Sequence, residues 1–446
     1  MKSKIKMYLL ILAMGLVAFG ANAQEDSLTF SLLEAQQFAM ENSYVLHNTT
    51  QDIAIAEKKV WETITIGLPQ VTGSANYNMF LNLPVSLLPA EIFGGEPGTY
   101  IPVQFGQDYN SDFGINVSQM IFDGSYIVGV GSSQLYLNLS KQAHEKTEID
   151  IRDAVAQAYY MVLIGERYKL VMAENLVNSQ NLYDETKIYF DNGFREEQDV
   201  AQVKIMLKNA ENEVLRADRE ISIALIVLKY AMGYDLETKI TLSGVLENYV
   251  LPLVARENSF QFDFNNHIDY QLAQSNFQVN EKLLKLEKVA YLPSVSAFYN
   301  FNKAAYSNSA NIFKADWYPS SLIGFQVTMR LFNSGQKRSK VQQAAIELDK
   351  AETERRLAGI TLQKDYLTAK AEMETAIEKF ENDRENRDLA KGILDKTKIK
   401  FNNGISSSAE LSQLETQYIT SFQALVNSTM QLLQADLKLK KAVGAL

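Results

Sequence analysis

The 446-residue chain has no cysteine, only three histidines and only eight prolines. Without cysteine there is no disulfide framework, thiolate metal site, cysteine nucleophile or acylated N-terminal cysteine. His47, His144 and His267 stand far apart with no ligand spacing, so neither a zinc site nor a histidine relay is expected. Basic side chains are the minority, 43 against 53 acidic ones, for a net charge of −10. That balance excludes a general nucleic-acid binder, which needs a basic face to meet phosphate. Long apolar runs are scarce too. Beyond the N-terminus the best candidate, Ile221 to Leu228, ends at Lys229 and is far short of the roughly 20 residues of a membrane helix. Zinc-protease and P-loop motifs are absent, and the Gly129-Val-Gly131 stretch lacks the third glycine of a dinucleotide fingerprint. No catalytic constellation emerges, so no enzyme and no cofactor are expected.

The few prolines are informative by position. They fall at 69, 84, 89, 97, 102, 252, 293 and 319, leaving 103–251 and 320–446 free of them. Proline in a helix interior costs about 3 kcal/mol, so these stretches can hold very long helices. Ser125 to Phe190 and Gln336 to Phe401 each give 66 residues, about 100 Å at a rise of 1.5 Å per residue.

At the N-terminus, Lys2, Lys4 and Lys6 precede an apolar run from Met7 to Phe19 and the small residues Ala21 and Ala23. This is the pattern of a secretory signal peptide over residues 1–23, cleaved after Ala23. An exported chain without a spanning helix is either soluble or enters a membrane as a β-barrel.

The sequence repeats itself. Leu68-Pro69-Gln70-Val71 returns as Leu292-Pro293-Ser294-Val295. From Gly124, which aligns with Gly335, to Gly233, which aligns with Gly444, the offset stays at 211. The best match sets Asp184 to Gly193 against Asp395 to Gly404, with seven of ten positions identical. We therefore divide the mature chain into a first repeat (24–233), a linker (234–264) and a second repeat (265–446). Each repeat reads helix, strand hairpin, very long helix, tight turn, return helix.

Period-2 alternation follows each Leu-Pro. Val71, Gly73, Ala75, Tyr77, Met79 and Leu81 oppose Thr72, Ser74, Asn76, Asn78, Phe80 and Asn82, and Phe113, Ile115, Val117 and Ile121 lie on the return strand. The connection 82–108 holds four prolines and reads as an exposed loop. In the second repeat the apolar positions are Val295, Ala297, Tyr299 and Phe301, then Ile323, Phe325, Val327, Met329 and Leu331. Alternating runs of about ten residues fit outer-membrane strands, with lipid on the apolar face. Four strands cannot close a channel, so other copies must supply the rest. On the last helix, Leu411, Leu414, Tyr418, Ser421, Leu425, Ser428, Leu432, Ala435, Leu439 and Ala442 form a narrow coiled-coil seam between polar flanks that include Gln413 and Glu415.

Each long helix closes on Lys-Ile-x-Phe-x-Asn-Gly: Lys187, Phe190, Asn192 and Gly193 in the first repeat, Lys398, Phe401, Asn403 and Gly404 in the second. The glycines suit left-handed caps, and Ser406, Ser407 and Ser408 are candidate N-caps for the final helix. With the duplicated plan, the Leu-Pro-x-Val openings and these tips, the chain resembles the TolC-type outer-membrane efflux family over about residues 28 to 444.

The resemblance implies a mainly α protein with a β-barrel portion. Three chains would form a 12-stranded outer-membrane barrel continuing into a 12-helix periplasmic barrel. It further implies an exit duct for a tripartite efflux or type I secretion system, passive in itself. The tips would dock a periplasmic adaptor protein coupled to an inner-membrane pump. The family guards its entrance with acidic residues six and nine positions after the second tip glycine, here Glu410 and Gln413. The matching first-repeat position is Asp199, and the family's basic residue two positions after that glycine is Ser406 here. A non-channel trimeric coiled-coil adhesin or scaffold with a β anchor is the alternative. With no cysteine for a lipid anchor, the barrel alone is expected to hold the duct in the membrane.

Overall fold

The computed structural model describes residues 28–255 and 262–446; the expected signal peptide lies outside them. In chain order the elements are β1 (Leu28–Phe30), α1 (Leu32–Asn42), α2 (Tyr44–Thr65), β2 (Gln70–Met79), β3 (Val85–Pro89), β4 (Tyr100–Gln104), β5 (Tyr109–Phe122), α3 (Gly124–Asp191) and α4 (Glu197–Met232). There follow β6 (Ile240–Leu242), α5 (Leu246–Val254), α6 (Ile268–Val289), β7 (Ser294–Ser307), β8 (Trp317–Thr328), α7 (Gln336–Asn402) and α8 (Ser408–Ala442). The two long helices, of 68 and 67 residues, start and stop within one residue of the proline-free expectation. Among the described residues no helix is long and apolar enough to cross a membrane.

The chain forms two compact units, with α3 and α7 contributing to both. One unit holds β2 to β5, β7 and β8. Its main sheet is antiparallel in the order β2-β5-β7-β8, so β2 and β8 are open edges. Register explains the alternation. Val71 pairs with Val117, Val117 with Tyr299 and Tyr299 with Ile323, placing the apolar positions of all four strands on one face. That face is open: Phe325 is 78% exposed. The other face is polar, with Asn76 Nδ2 donating to Asp112 Oδ2 at 2.9 Å and Asn78 Nδ2 to Asn110 Oδ1 at 2.9 Å.

Three expectations for this unit are corrected. Ile121 is not an apolar-face residue in register. A bulge between Met120 and Phe122 makes it the extra residue, and Phe122 pairs with Val295 in its place; one inserted residue inverts the alternation beyond it. Met329 and Leu331 lie past the end of β8. The connection 82–108, expected as an exposed loop, is mostly exposed but not without regular structure, because β3 and β4 pair within it, Leu88 against Ile101. Pro89 and Pro102 lie in this two-stranded ribbon, Pro84 just before it and Pro97 in the turn between its strands, and an edge ribbon tolerates the missing N–H.

The other unit is a helical bundle with one large apolar core. α3 contributes Val155, Tyr159, Val162 and Met172, and α8 contributes Leu432, Leu433 and Leu439. The short parallel pair β1–β6 is tied in by the Tyr159 hydroxyl, which donates to the Phe30 carbonyl at 3.1 Å and accepts from Gly244 N–H at 3.0 Å. Burial pushes the Tyr159 phenol well above its ordinary range, so it stays a neutral donor. Gly165, inside α3, marks a close approach: a Cβ there would meet Ile221 Cγ1 of α4 at 3.0 Å.

The α8 seam is buried at Leu411, Tyr418, Leu425, Ser428, Leu432, Ala435, Leu439 and Ala442. It is not narrow. Phe422, Thr429, Leu433, Asp436 and Leu437 are buried as well. Glu415, expected on a wet flank, is only 4% exposed. The reason is that α8 has partners on several sides, Phe422 for example stacking on Tyr168 of α3 at 5.8 Å.

Candidate functional site

The tips lie in the helical unit, at the ends of α3 and α7, and their backbones are built alike. Gly193 has φ +79° and Gly404 φ +72°. In the first, Gly193 N–H bonds to Phe190 O at 2.8 Å and Phe194 N–H to Tyr189 O at 2.8 Å. In the second, Gly404 N–H bonds to Phe401 O at 2.9 Å and Ile405 N–H to Lys400 O at 2.9 Å. This paired pattern is the Schellman motif, which satisfies carbonyls that a helix end leaves free. The asparagines add a third bond. Asn192 Nδ2 donates to Ile188 O at 2.7 Å and Asn403 Nδ2 to Ile399 O at 2.8 Å. The repeated Asn-Gly thus has a local cause: amide back-bonding followed by a left-handed residue.

The return helices start differently. Glu196 caps α4 in a box with Asp199, whose Oδ2 accepts from Glu196 N–H at 3.4 Å. Of the three serines, Ser407 is the N-cap of α8, accepting from Glu410 N–H at 3.2 Å. Ser406 is buried and donates to Glu410 Oε2 at 2.5 Å. Glu410 and Gln413 are both exposed.

The side chains break the symmetry of the tips. Lys187 is exposed and Phe190 is 38% exposed, whereas Lys398 is half-buried and Phe401 only 1% exposed. As placed, the Phe401 ring presents no docking surface. It belongs to a second apolar core with Leu182, Val203, Met206, Leu394 and Leu411. Arg195 covers it: the guanidinium carbon stands 4.0 Å from the ring centroid, and Nη2 donates to the Phe401 carbonyl. Asn402 Nδ2 also donates to Glu185 Oε2 at 3.2 Å. The two tips are therefore clasped within one chain. Sequence reading missed Arg195 because it looked only two positions after the second glycine, where Ser406 stands; Arg195 stands two positions after the first.

Glu415 was also missed. Its Oε1 accepts from Asn175 Nδ2 at 3.2 Å and Ser179 Oγ at 3.1 Å, both on α3. Burial pushes its carboxyl above the ordinary range, against the opposing pull of these two hydrogen bonds and of the Lys398 charge. A stripe 411-415-418-422-425, at helical spacing and broken only at Glu415, was visible in the sequence.

Among the described residues no group of acidic or histidine side chains could hold a metal ion. His144 Nδ1 lies 2.8 Å from Thr49 Oγ1, and His267 Nε2 lies 3.1 Å from the Lys441 carbonyl.

The family model described as outer membrane efflux protein matches residues 37–234 and 265–445. No curated protein matches the chain. Solved structures share its fold. CusC aligns with a TM-score of 0.73 at 15% identity, covering 96% of this chain and 95% of its own. The Campylobacter jejuni CmeC channel aligns at 0.72 and 16% identity, covering 93% and 85%. The Neisseria gonorrhoeae MtrE channel aligns at 0.68 and 14% identity, covering 94% and 90%. With the family model spanning both halves, from the helices that precede each hairpin to the end of each return helix, this chain belongs to the outer membrane efflux protein family.

Proposed function

We propose that the chain is one protomer of a homotrimeric outer-membrane exit duct, serving a periplasmic adaptor protein and an inner-membrane pump. The observation that carries this reading is the four-stranded sheet, apolar on one face and polar on the other, with β2 and β8 unpaired at its edges. Exposed edges are templates for pairing, and three copies joined β8 to β2 supply twelve strands around a polar lumen. Lipid covers the apolar face. CmeC and MtrE, which share the fold, are described as outer-membrane channels.

In this reading the tips, Lys187, Asn192, Gly193, Lys398, Asn403 and Gly404 with the half-exposed Phe190, face the adaptor. Glu410, exposed on the first turn of α8 and held by Ser406 and Ser407, forms the gate ring. Gln413 adds no charge to it, and Asp199 serves the α4 cap. One acidic ring attracts cations and repels anions. The duct carries no chemistry of its own; the pump drives it.

Planar-bilayer recording tests this. The purified chain is expected to insert as a conducting trimer blocked by multivalent cations from the periplasmic side. Glu410→Gln should weaken that block about tenfold or more, as loss of the charged ring requires. A chain that inserts without conducting is no duct, and an unchanged block removes Glu410 from the gate.

A further inference from the structure

Under α5 the helical unit contains a cavity of about 210 Å³, bounded by α3, α5, α7 and α8. Its floor is apolar and buried: Ile164, Val250, Phe380 and Phe422 are each less than 8% exposed. Its rim is cationic. Arg167, Arg384 and Arg387 line it against a single carboxylate, Glu247. In a chain of net charge −10 this is a local inversion of sign.

The three guanidiniums are not equally committed. Arg167 Nε lies 3.5 Å from Glu247 Oε1, a loose pair. Arg387 Nε is buried and makes no hydrogen bond; Asp388 Oδ1 stands 2.9 Å away but out of line. Arg384 has no hydrogen bond or ion pair among the described residues. Arg384 and Arg387 are three residues apart and share the helix face that carries Phe380. Arg384, without an ion partner among the described residues, and Arg387, whose charge Asp388 already faces, therefore line one apolar hole. Guanidinium binds carboxylate or sulfonate in bidentate fashion, and small-molecule sites combine apolar walls with a few placed polar groups.

We propose that this cavity binds a small amphiphilic anion, a carboxylate or sulfonate on an apolar body, its head on Arg384 and Arg387 and its body against Phe380 and Phe422. At about 30 Å³ per water-sized group the cavity holds a body of roughly seven heavy atoms. The same chemistry is offered by fatty acids shed from the membrane and by amphiphilic solutes in transit.

The test is calorimetric titration of the full assembled protein in phosphatidylcholine nanodiscs with butyrate, hexanoate, octanoate and decanoate, using octanol as neutral control and empty discs as blank. One anion should bind per chain. Affinity should rise about fourfold per methylene and stop rising near eight carbons. Octanol should bind at least tenfold more weakly than octanoate, and Arg384→Gln with Arg387→Gln should abolish that difference. Arg384 is exposed and the Arg387 side chain 24% exposed, so both variants are expected to fold; an unchanged trimer mass and melting temperature check this. A second variant, Leu425→Trp, should block octanoate by filling the hole. Equal binding of octanol and octanoate, no binding of either, or wild-type affinity in the double arginine variant overturns the proposal. Native mass spectrometry of freshly purified protein separates the sources. A retained fatty acid identifies the membrane, and a chain that arrives unliganded yet takes up octanoate identifies passing solutes.

Discussion

Replacing Gly193 and Gly404 together by valine is expected to weaken adaptor binding about tenfold or more while trimers still assemble. The two positions have φ of +79° and +72°, and a Cβ at either would meet nothing within 4 Å. The penalty is therefore one of backbone conformation and not of collision. A β-branched residue in the left-handed region costs on the order of 1–2 kcal/mol, enough at each tip to unwind the paired Phe190/Tyr189 and Phe401/Lys400 bonds. A 1.4 kcal/mol shift is a factor of ten in affinity. Asparagine tolerates the same conformation, so Gly193→Asn with Gly404→Asn should keep binding within about threefold. Pull-down and titration with the adaptor read both results, and crosslinked trimer mass reads assembly. Valine and asparagine variants that bind equally would remove the turn geometry from docking. Gly233 supplies the contrast. It has φ +70°, but a Cβ there would meet the Asn42 carbonyl oxygen at 2.5 Å, so its substitution strikes stability and not the tips.

The second large effect belongs to Glu415. Asn175→Leu is expected to destabilise the protein by about 1.5–3 kcal/mol at neutral pH, the worth of a hydrogen bond to a charged group. It leaves the buried carboxylate with Ser179 as its remaining hydrogen-bond donor. Glu415→Gln should be at least as stable as the parent at neutral pH, because it removes a charge that burial disfavours. The direction of the pH dependence follows from the raised folded value. The folded state holds this proton more tightly than the unfolded chain. That contribution is fully present below the ordinary carboxylate value of about 4.3 and is lost as pH rises through the folded value. The advantage of the glutamine variant should accordingly grow with pH from that point and vanish below it. Denaturant unfolding at pH 4 to 8 measures this, and a double-mutant cycle with Asn175→Leu should show coupling above 0.5 kcal/mol. Strict additivity, or a glutamine variant that loses stability at neutral pH, would sink the assignment.

The two missed residues show where sequence reading runs out. Asn-Gly announces a helix end because the bonds it makes reach back four residues or fewer, inside the motif itself. Arg195 announces nothing. Its value lies in Phe401, more than 200 residues away, and in a ring that only the approach of two tips buries. Glu415 looked like one more acid on a wet flank until Asn175 and Ser179 of α3 were found beside it. The bulge at Ile121 is of the same kind, set by a partner strand and invisible in the alternation of β5 alone.

The sequence by itself determined the two rods, the long strands that precede each of them and the turns that end them. Proline placement, period-2 alternation and left-handed glycines act over a few residues, so their consequences can be read in order along the chain. Only the tertiary structure decided which faces of α8 are buried, which tip hides its phenylalanine, and that three arginines from two helices meet over one apolar hole. Those outcomes depend on residues distant in sequence taking up the same water-free space, and burial is a property of what surrounds a side chain and not of the side chain alone.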